Sequence, residues 1–220
     1  MAKPANVWFT SDLHIGHRKV SELRGFFDED NVTDFLQTDG TSVAVAQPDV
    51  EYHNQTLAES WDDVVRPDDT VWVLGDISMN GGQHALDWIE ARPGHKHLIT
   101  GNHDPVAPFH TNWQKKMSHW MGYFDSISPY GRIKLLGETV LMSHFPYESY
   151  GDGPERGGAE ASRFNQYRLP DRGELLLHGH THGTEVAHDN MFHVGVDAHD
   201  LRLVPQSEIL EWVNTMKDKK

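Results

Sequence analysis

The chain has 220 residues, enough for one well-buried core, and a single domain spanning residues 1–220 is expected. Its 33 acidic against 19 basic residues give a formal charge of −14, which opposes long-range attraction to duplex nucleic acid or to an anionic membrane. The absence of cysteine excludes disulfides, zinc–thiolate sites and thiol catalysis; with no apolar run near the roughly 18 residues of a membrane span and no signal-peptide pattern in Met1 to Thr10, the expected location is the cytoplasm.

The first predicted element is a short buried strand at Val7-Trp8-Phe9, which ends just before Asp12-x-His14. Asp28 to Asp49 carries six acidic residues and no Lys or Arg, and reads as a solvated loop. Val50, His53, Leu57, Trp61 and Val64/Val65 then recur at helical spacing. A strand at Val71-Trp72-Val73-Leu74 runs into Gly75-Asp76, a helix is marked by Ala85, Leu86 and Ile89, and a strand at His97-Leu98-Ile99 runs into Gly101-Asn102-His103-Asp104. From Phe124 to Met142 the strands are closely spaced, with turns at Pro129-Tyr130-Gly131 and Gly137-Glu138, which suggests antiparallel pairing. Thr139 to Met142 precedes His144, a second loop at Tyr150 to Gly158 holds four glycines and a proline, and Leu175-Leu176-Leu177 precedes Gly179-His180-Thr181-His182. A last helix is marked by Ser207 as N-cap and by Ile209, Val213 and Met216. The layout is α/β with mixed sheets.

Five polar motifs thus sit just beyond five apolar runs. Loops beyond the carboxyl ends of strands converge in one crevice, so residues far apart in sequence can meet there. Together the motifs supply two carboxylates, an amide oxygen and five imidazoles, enough for two divalent ions and one spare histidine. Asp12 and His14 are two residues apart and on an extended segment point the same way, so they can chelate one ion. His180 and His182 repeat that spacing, with Gly179 and Gly183 allowing tight turns. Two ions about 3.5–4 Å apart need a ligand that touches both, and Asp76, between a buried strand and the Ile77-Ser78 turn, is the best candidate.

In order and residue type the five motifs closely resemble the calcineurin-like metallophosphoesterases, over about Val7 to Pro205. The resemblance implies a four-layer αββα sandwich, two mixed β-sheets flanked by helices, with a dinuclear centre at one edge. Carried over residue by residue, Asp12, His14 and His182 are implied to bind the first metal, Asn102, His144 and His180 the second, and Asp76 to bridge them. His103 is left unligated. A hydroxide held between two Lewis acids can attack phosphorus in line while a protonated His103 donates to the leaving oxygen as general acid. Manganese is the favoured metal, and the N/O donor set also suits iron, zinc or cobalt.

Departures narrow the expectation. Protein phosphatases of the family carry Gly-Asp-x-x-Asp-Arg-Gly, whereas this chain reads Gly75-Asp76-Ile77-Ser78-Met79-Asn80-Gly81, without the second acid or the arginine. Nothing in that motif then orients His103, and Asp104 reads as structural. The Asp12-Leu13-His14-Ile15-Gly16-His17 and Gly195-Val196-Asp197 segments look like small bacterial and phage members, many of which are phosphodiesterases on small or cyclic nucleotides. The expected activity is therefore hydrolysis of small phosphodiesters, with 2′,3′-cyclic nucleotides favoured. A phosphomonoesterase is the nearest alternative, and a non-catalytic scaffold is disfavoured by the complete ligand set. His17 could contact phosphate or cap a helix, and one of Arg156, Arg163, Arg168 and Arg172 could supply a guanidinium to a phosphate oxygen.

Overall fold

The computed structural model describes residues 5–39, 41–79 and 81–218; residues 1–4 and Asn80 of the Gly75–Gly81 segment lie outside the described residues. Strand β1 (Val7–Thr10) leads to helix α1 (Arg18–Leu23), a hairpin of β2 (Phe27–Leu36) and β3 (Ser42–Pro48), and helix α2 (Val50–Asp62). The chain continues through β4 (Thr70–Val73), α3 (Gln83–Glu90), β5 (His95–Ile99), α4 (Trp113–Trp120), β6 (Ser126–Ser128), β7 (Gly131–Leu135) and β8 (Glu138–Met142). After a short α5 (Gly158–Ala161) come β9 (Leu175–His178), β10 (Ala187–His188), β11 (Met191–His193), β12 (Val204–Pro205) and α6 (Gln206–Lys217).

Two five-stranded mixed sheets result, in the orders β12-β1-β4-β5-β6 and β10-β11-β9-β8-β7. In the first, β1, β4, β5 and β6 are parallel and β12 is antiparallel to β1. In the second, β8, β9 and β11 are parallel and the edge strands β7 and β10 antiparallel. The two-residue period of a strand decides which side chain meets which layer. In β4, Val71 and Val73 pack with Leu57 and Trp61 of α2 and Leu86 and Ile89 of α3, while Leu74 just past its end joins Phe9, Ile99, Val140, Met142, Leu175 and Leu177 between the sheets. Ile209, Trp212 and Val213 of α6 close the same inter-sheet core. Trp61 is fully buried and its indole N–H donates to the Pro93 carbonyl at 3.0 Å, so truncation to Ala should cost about 3–5 kcal/mol.

Four local expectations are corrected. Asp28 to Asp49 is not a loop: β2 and β3 pair from Phe27↔Pro48 to Leu36↔Ser42, with a bulge between Asp28 and Val32, and both faces exposed. Its Asp39 carboxylate accepts from the Thr41 N–H and hydroxyl at the tip, turn chemistry that Asp39-Gly40 signals and the acidic composition hides. Tyr150 to Gly158 is not simply solvated, since Gly151, Asp152 and Gly153 are buried and Pro154–Arg156 form a 3₁₀ turn. The strands after Phe124 divide between sheets: β7 and β8 are an antiparallel hairpin, but β6 is parallel to β5, and Pro129-Tyr130 carries the chain from one sheet to the other. Ser207 lies inside α6, whose N-cap is Pro205.

Candidate metal centre

Every motif leaves the carboxyl end of a parallel strand: Asp12 after β1, Asp76 after β4, Asn102 and His103 after β5, His144 after β8 and His180 after β9. Parallelism therefore carries all five to one rim, where hydrogen bonds stitch the loops together. The Asp12 and His14 N–H groups donate to the Gly75 and Asp76 carbonyls at 3.0 Å each, and the Gly179 N–H donates to His144 O at 3.0 Å. Asp12 Oδ2 accepts the His180 N–H at 2.9 Å, linking the two sheets, and Asp76 Oδ1 accepts the His103 N–H at 2.8 Å. The motif glycines permit this closeness. A Cβ at Gly179 would fall on the Ser11 hydroxyl and the Asp12 carboxylate, so that glycine serves close approach; the left-handed turn belongs to His180 itself.

Left-handed backbone recurs through these motifs. Asp12, His14, Asp76, His180 and His182 all have φ between 51° and 72°. This replaces the extended Asp12-x-His14 segment expected from spacing. A non-glycine residue in the left-handed region costs on the order of 1–3 kcal/mol and persists only where surrounding structure enforces it, which is characteristic of functional sites.

The side chains fall into two groups. In the deeper one, the His144 Nδ1–H donates to the Leu74 carbonyl at 2.8 Å and the His180 Nε2–H donates to Asp152 Oδ1 at 2.9 Å. Those acceptors fix the tautomers, so in the neutral rings His144 Nε2 and His180 Nδ1 both present lone pairs, 3.2 Å apart. Asn102 Oδ1 lies 3.1 Å and Asp76 Oδ2 3.4 Å from the same His144 Nε2. Four lone-pair donors around one point require a cation. Burial favours a neutral His144, but Asp76, Asp12 and the Leu74 carbonyl outweigh it and push the imidazole up to about 9, so that a proton would take the place a metal ion suits. Burial depresses His180 to about 4 in spite of Asp152.

In the shallower group, His14 Nε2 and His182 Nε2 face each other at 3.1 Å, and His182 Nε2 is 3.9 Å from Asp12 Oδ1. The His182 Nδ1–H donates to Asp197 Oδ2 at 2.9 Å. Asp12 Oδ1 is buried without a hydrogen-bond partner, as a carboxylate oxygen awaiting a cation would be. Asp12, His14 and His182 thus form one ligand-like cluster, and Asp76, His144 and His180 a second. Asp76 Oδ2 joins them, 3.4 Å from His144 Nε2 and 3.8 Å from His14 Nε2. Burial pushes the Asp76 carboxyl up, but His144 and His14 overcome it and hold the group ionised.

His103 stands beside the pair. Its Nε2 is 3.9 Å from Asp76 Oδ2 and its side chain is about one-third exposed, so it is free to meet a substrate. Burial, with Arg163 and His144 adding to it, lowers its pKa against the opposing pull of Asp76 and Asp12. Among the described residues no hydrogen bond holds its ring. Asp104 instead accepts three backbone N–H groups, from Asp76 at 3.0 Å, Ile77 at 3.2 Å and Gly101 at 2.8 Å, and so braces the Asp76 loop. His17 caps α1, its Nδ1 accepting the Val20 N–H at 3.0 Å.

The arginines sort by burial. Arg168 is buried against Asp152, and its guanidinium also donates to the Gly151 carbonyl at 2.7 Å. Arg172 is exposed. Arg156 lines a cleft of about 420 Å³ that includes His182, and Arg163 is close enough to bear on His103. Three further residues of the site escape sequence reasoning. Asp152 holds His180, and Asp197 holds His182; Arg24 grips Asp197 through Nε at 2.8 Å and Nη2 at 2.7 Å. Only Asp197 carries a signal, through its Gly195-Val196-Asp197 segment.

The model of the calcineurin-like phosphoesterase family matches residues 5–184, across all five motifs. The chain belongs to the calcineurin-like phosphoesterases. It is 41% identical over 229 residues to the Gene 66 protein of Mycobacterium phage L5, covering 98% of this chain and 97% of that one. The Gene 66 protein of Mycobacterium phage D29 is 40% identical over 227 residues, with 97% and 98% covered. Among solved structures, the protein of unknown function AQ665 from Aquifex aeolicus shares the fold at a TM-score of 0.58 and 24% identity, with 95% of this chain and 100% of that chain covered. As a calcineurin-like phosphoesterase the chain is a metal-dependent phosphoester hydrolase, and its two donor clusters fit the dinuclear centre typical of that family.

Proposed function

We propose that the protein is a dinuclear metal-dependent phosphodiesterase acting on small nucleotide esters, with 2′,3′-cyclic nucleotides as the favoured class. The observation that carries the dinuclear part is the single oxygen of Asp76 that faces both donor groups, with His103 at its open side. Asp12, His14 and His182 would hold one ion, Asn102, His144 and His180 the other, and Asp76 both. When bound, two divalent ions supply Lewis-acid polarisation of the phosphoryl group and a water reactive near neutral pH. The N/O donors make manganese our first candidate, ahead of iron, zinc and cobalt.

The chain's own residues do the rest. Asp152 and Asp197 fix the tautomers and ring orientations of His180 and His182, and Asp104 holds the Asp76 loop by its backbone. His103 donates a proton to the leaving oxygen. The diester preference is supported by charge: the buried guanidiniums of Arg24 and Arg168 are already paired with Asp197 and Asp152, and the cations left to meet a second phosphate charge, among them Arg156, Arg163 and Lys116, are exposed. The acidic surface favours a small substrate in the cytoplasm over a nucleic acid strand or a membrane.

The test compares kcat/KM for bis(p-nitrophenyl) phosphate and p-nitrophenyl phosphate at one pH and one metal, then for 2′,3′- and 3′,5′-cyclic nucleotides. The diester should be preferred. A monoester advantage of about tenfold or more would replace the diesterase reading by a phosphatase, and no hydrolysis with any divalent metal would favour a scaffold.

A further inference from the structure

Beside the deeper donor group lies an apolar cavity of about 270 Å³, lined by Thr100, Pro108, Phe109, Pro129, Tyr130, Phe145 and Tyr167. None of these residues has a part in the metal site, yet the cavity adjoins it. The Phe145 ring is 4.8 Å from that of His180 and 5.1 Å from that of His144, and Thr100 is two residues before Asn102. Phe109 and Tyr167 stack at 4.5 Å with 25° between their planes, one face of each against the other, with Phe145 one further step away at 6.4 Å from Phe109. The Tyr130 hydroxyl donates to the Tyr167 carbonyl at 2.6 Å and ties the wall from the first sheet to the segment that carries Tyr167.

Three of the lining residues, Thr100, Tyr130 and Tyr167, carry hydroxyls. Thr100 is 4% exposed, and its hydroxyl is buried without a hydrogen-bond partner. Closed off from water, that hydroxyl does not face the open cavity, so the aromatic rings supply the affinity, for a planar face. The volume falls just under the roughly 300–1,000 Å³ of sites for drug-sized ligands, so the cavity suits one ring system rather than a whole dinucleotide.

We propose that this cavity is the subsite for the nucleobase of the substrate, with the Phe109–Tyr167 pair as the aromatic stack that the base extends. This rests on the phosphodiesterase reading for its link to catalysis, but base binding itself does not need the metals. The contrast with the metal centre is chemical. The phosphate is recognised by charge, the base by a π-face.

The test has two arms. In the first, saturation-transfer NMR measures binding of adenosine, guanosine, cytidine and uridine to the metal-free protein and to Phe109→Ala, Phe109→Tyr and Thr100→Val. Wild type, Phe109→Tyr and Thr100→Val should bind at least one nucleoside alike, and Phe109→Ala should weaken it at least about fivefold. In the second, kcat/KM is compared for a 2′,3′-cyclic nucleotide and for base-free ribose 2′,3′-cyclic phosphate. Phe109→Ala should lower the first at least about fivefold, mainly through KM, and leave the second unchanged. Equal losses on both esters, or nucleoside binding that survives Phe109→Ala, would overturn the subsite. So would failure of the wild type to bind any nucleoside. Nucleoside binding without hydrolysis of either ester would sink the diesterase reading and leave the subsite standing.

Discussion

The two ends of strands β1 and β4 solve the same problem in opposite ways. Each end buries a carboxylate. At the amino end Asp69 accepts the backbone N–H of Asn6 at 2.7 Å and of Arg66 at 3.1 Å, the Trp8 indole N–H at 3.0 Å and the Asn6 amide at 3.2 Å. None of those three partners has a left-handed backbone. At the carboxyl end Asp12 keeps one buried oxygen unpartnered, His14 Nδ1 is likewise orphaned, and five ligand residues sit at positive φ. A satisfied, unstrained carboxylate stabilises the fold. An unsatisfied one on a strained loop is held ready for a cation, and its cost is carried by the rest of the core.

The sharpest test of that contrast is Asp76→Ala, because one oxygen of Asp76 serves both donor groups. Metal content should fall toward zero and turnover by more than the roughly 10⁴-fold ceiling of a lost general acid, measured by metal analysis and steady-state kinetics. Retention of two metals would show that the groups are independent. The fold should persist, since the change touches neither hydrophobic cluster, although Ala is no better suited than Asp to this left-handed position.

His103→Ala comes next. A proton donor is needed in the transition state and not for holding ions, so kcat should fall about 10²–10⁴-fold with metal content near that of the wild type. The loss should shrink with p-nitrophenyl leaving groups, which need little protonation. If the variant loses a metal, His103 is a ligand.

Within the functional end the two donor groups offer a finer comparison. Each has a histidine held by an aspartate that is paired with a buried arginine: His180–Asp152–Arg168 in the deeper group, His182–Asp197–Arg24 in the shallower. Asp152→Asn and Asp197→Asn should each weaken one metal about 10–100-fold and spare the other, resolved as two events in a calorimetric titration. Equal weakening of both events by either variant would make the centre a single cooperative site.

How much of this was legible in the sequence follows from what each residue type can encode. The ligands could be read because each follows a β-branched or aliphatic run short enough to be a strand, and parallel strands deliver their ends to one rim. The left-handed backbone at Asp12, His14, Asp76, His180 and His182 could not, because φ is imposed by neighbours distant in sequence, such as Asp12 Oδ2 on the His180 N–H and the Asp76 carbonyl on the His14 N–H. Asp152 was hidden in a glycine-rich run that looks solvated, and is buried against Arg168 and His180, neither near it in sequence. The β2–β3 hairpin was missed for the opposite reason: its strands are exposed on both faces, so no burial imposes an apolar alternation on them.

The smallest effect on activity, and the one that completes the contrast, belongs to Asp69→Asn. Asn keeps the size but loses one anionic acceptor, leaving buried N–H donors poorly matched at a cost of about 1–3 kcal/mol, or roughly 2–4 °C in Tm per kcal/mol for a domain of this size. Its pH dependence follows from the wild-type carboxyl. Burial pushes that group up, but hydrogen bonds from Asn6, Trp8 and Arg66 outweigh burial and hold it at about 2, below its ordinary 3.8. A carboxylate whose folded pKa is depressed stabilises the fold fully above its unfolded value and loses that contribution as pH falls through the folded one. The stability gap between wild type and Asp69→Asn should therefore be constant above about pH 5 and close as the pH drops toward 2, in denaturant titrations at each pH. Turnover and metal content at neutral pH should match the wild type at temperatures where both are folded. If instead kcat falls with the metals retained, the amino end of these strands is coupled to the site, and the division between a stabilising end and a functional end fails.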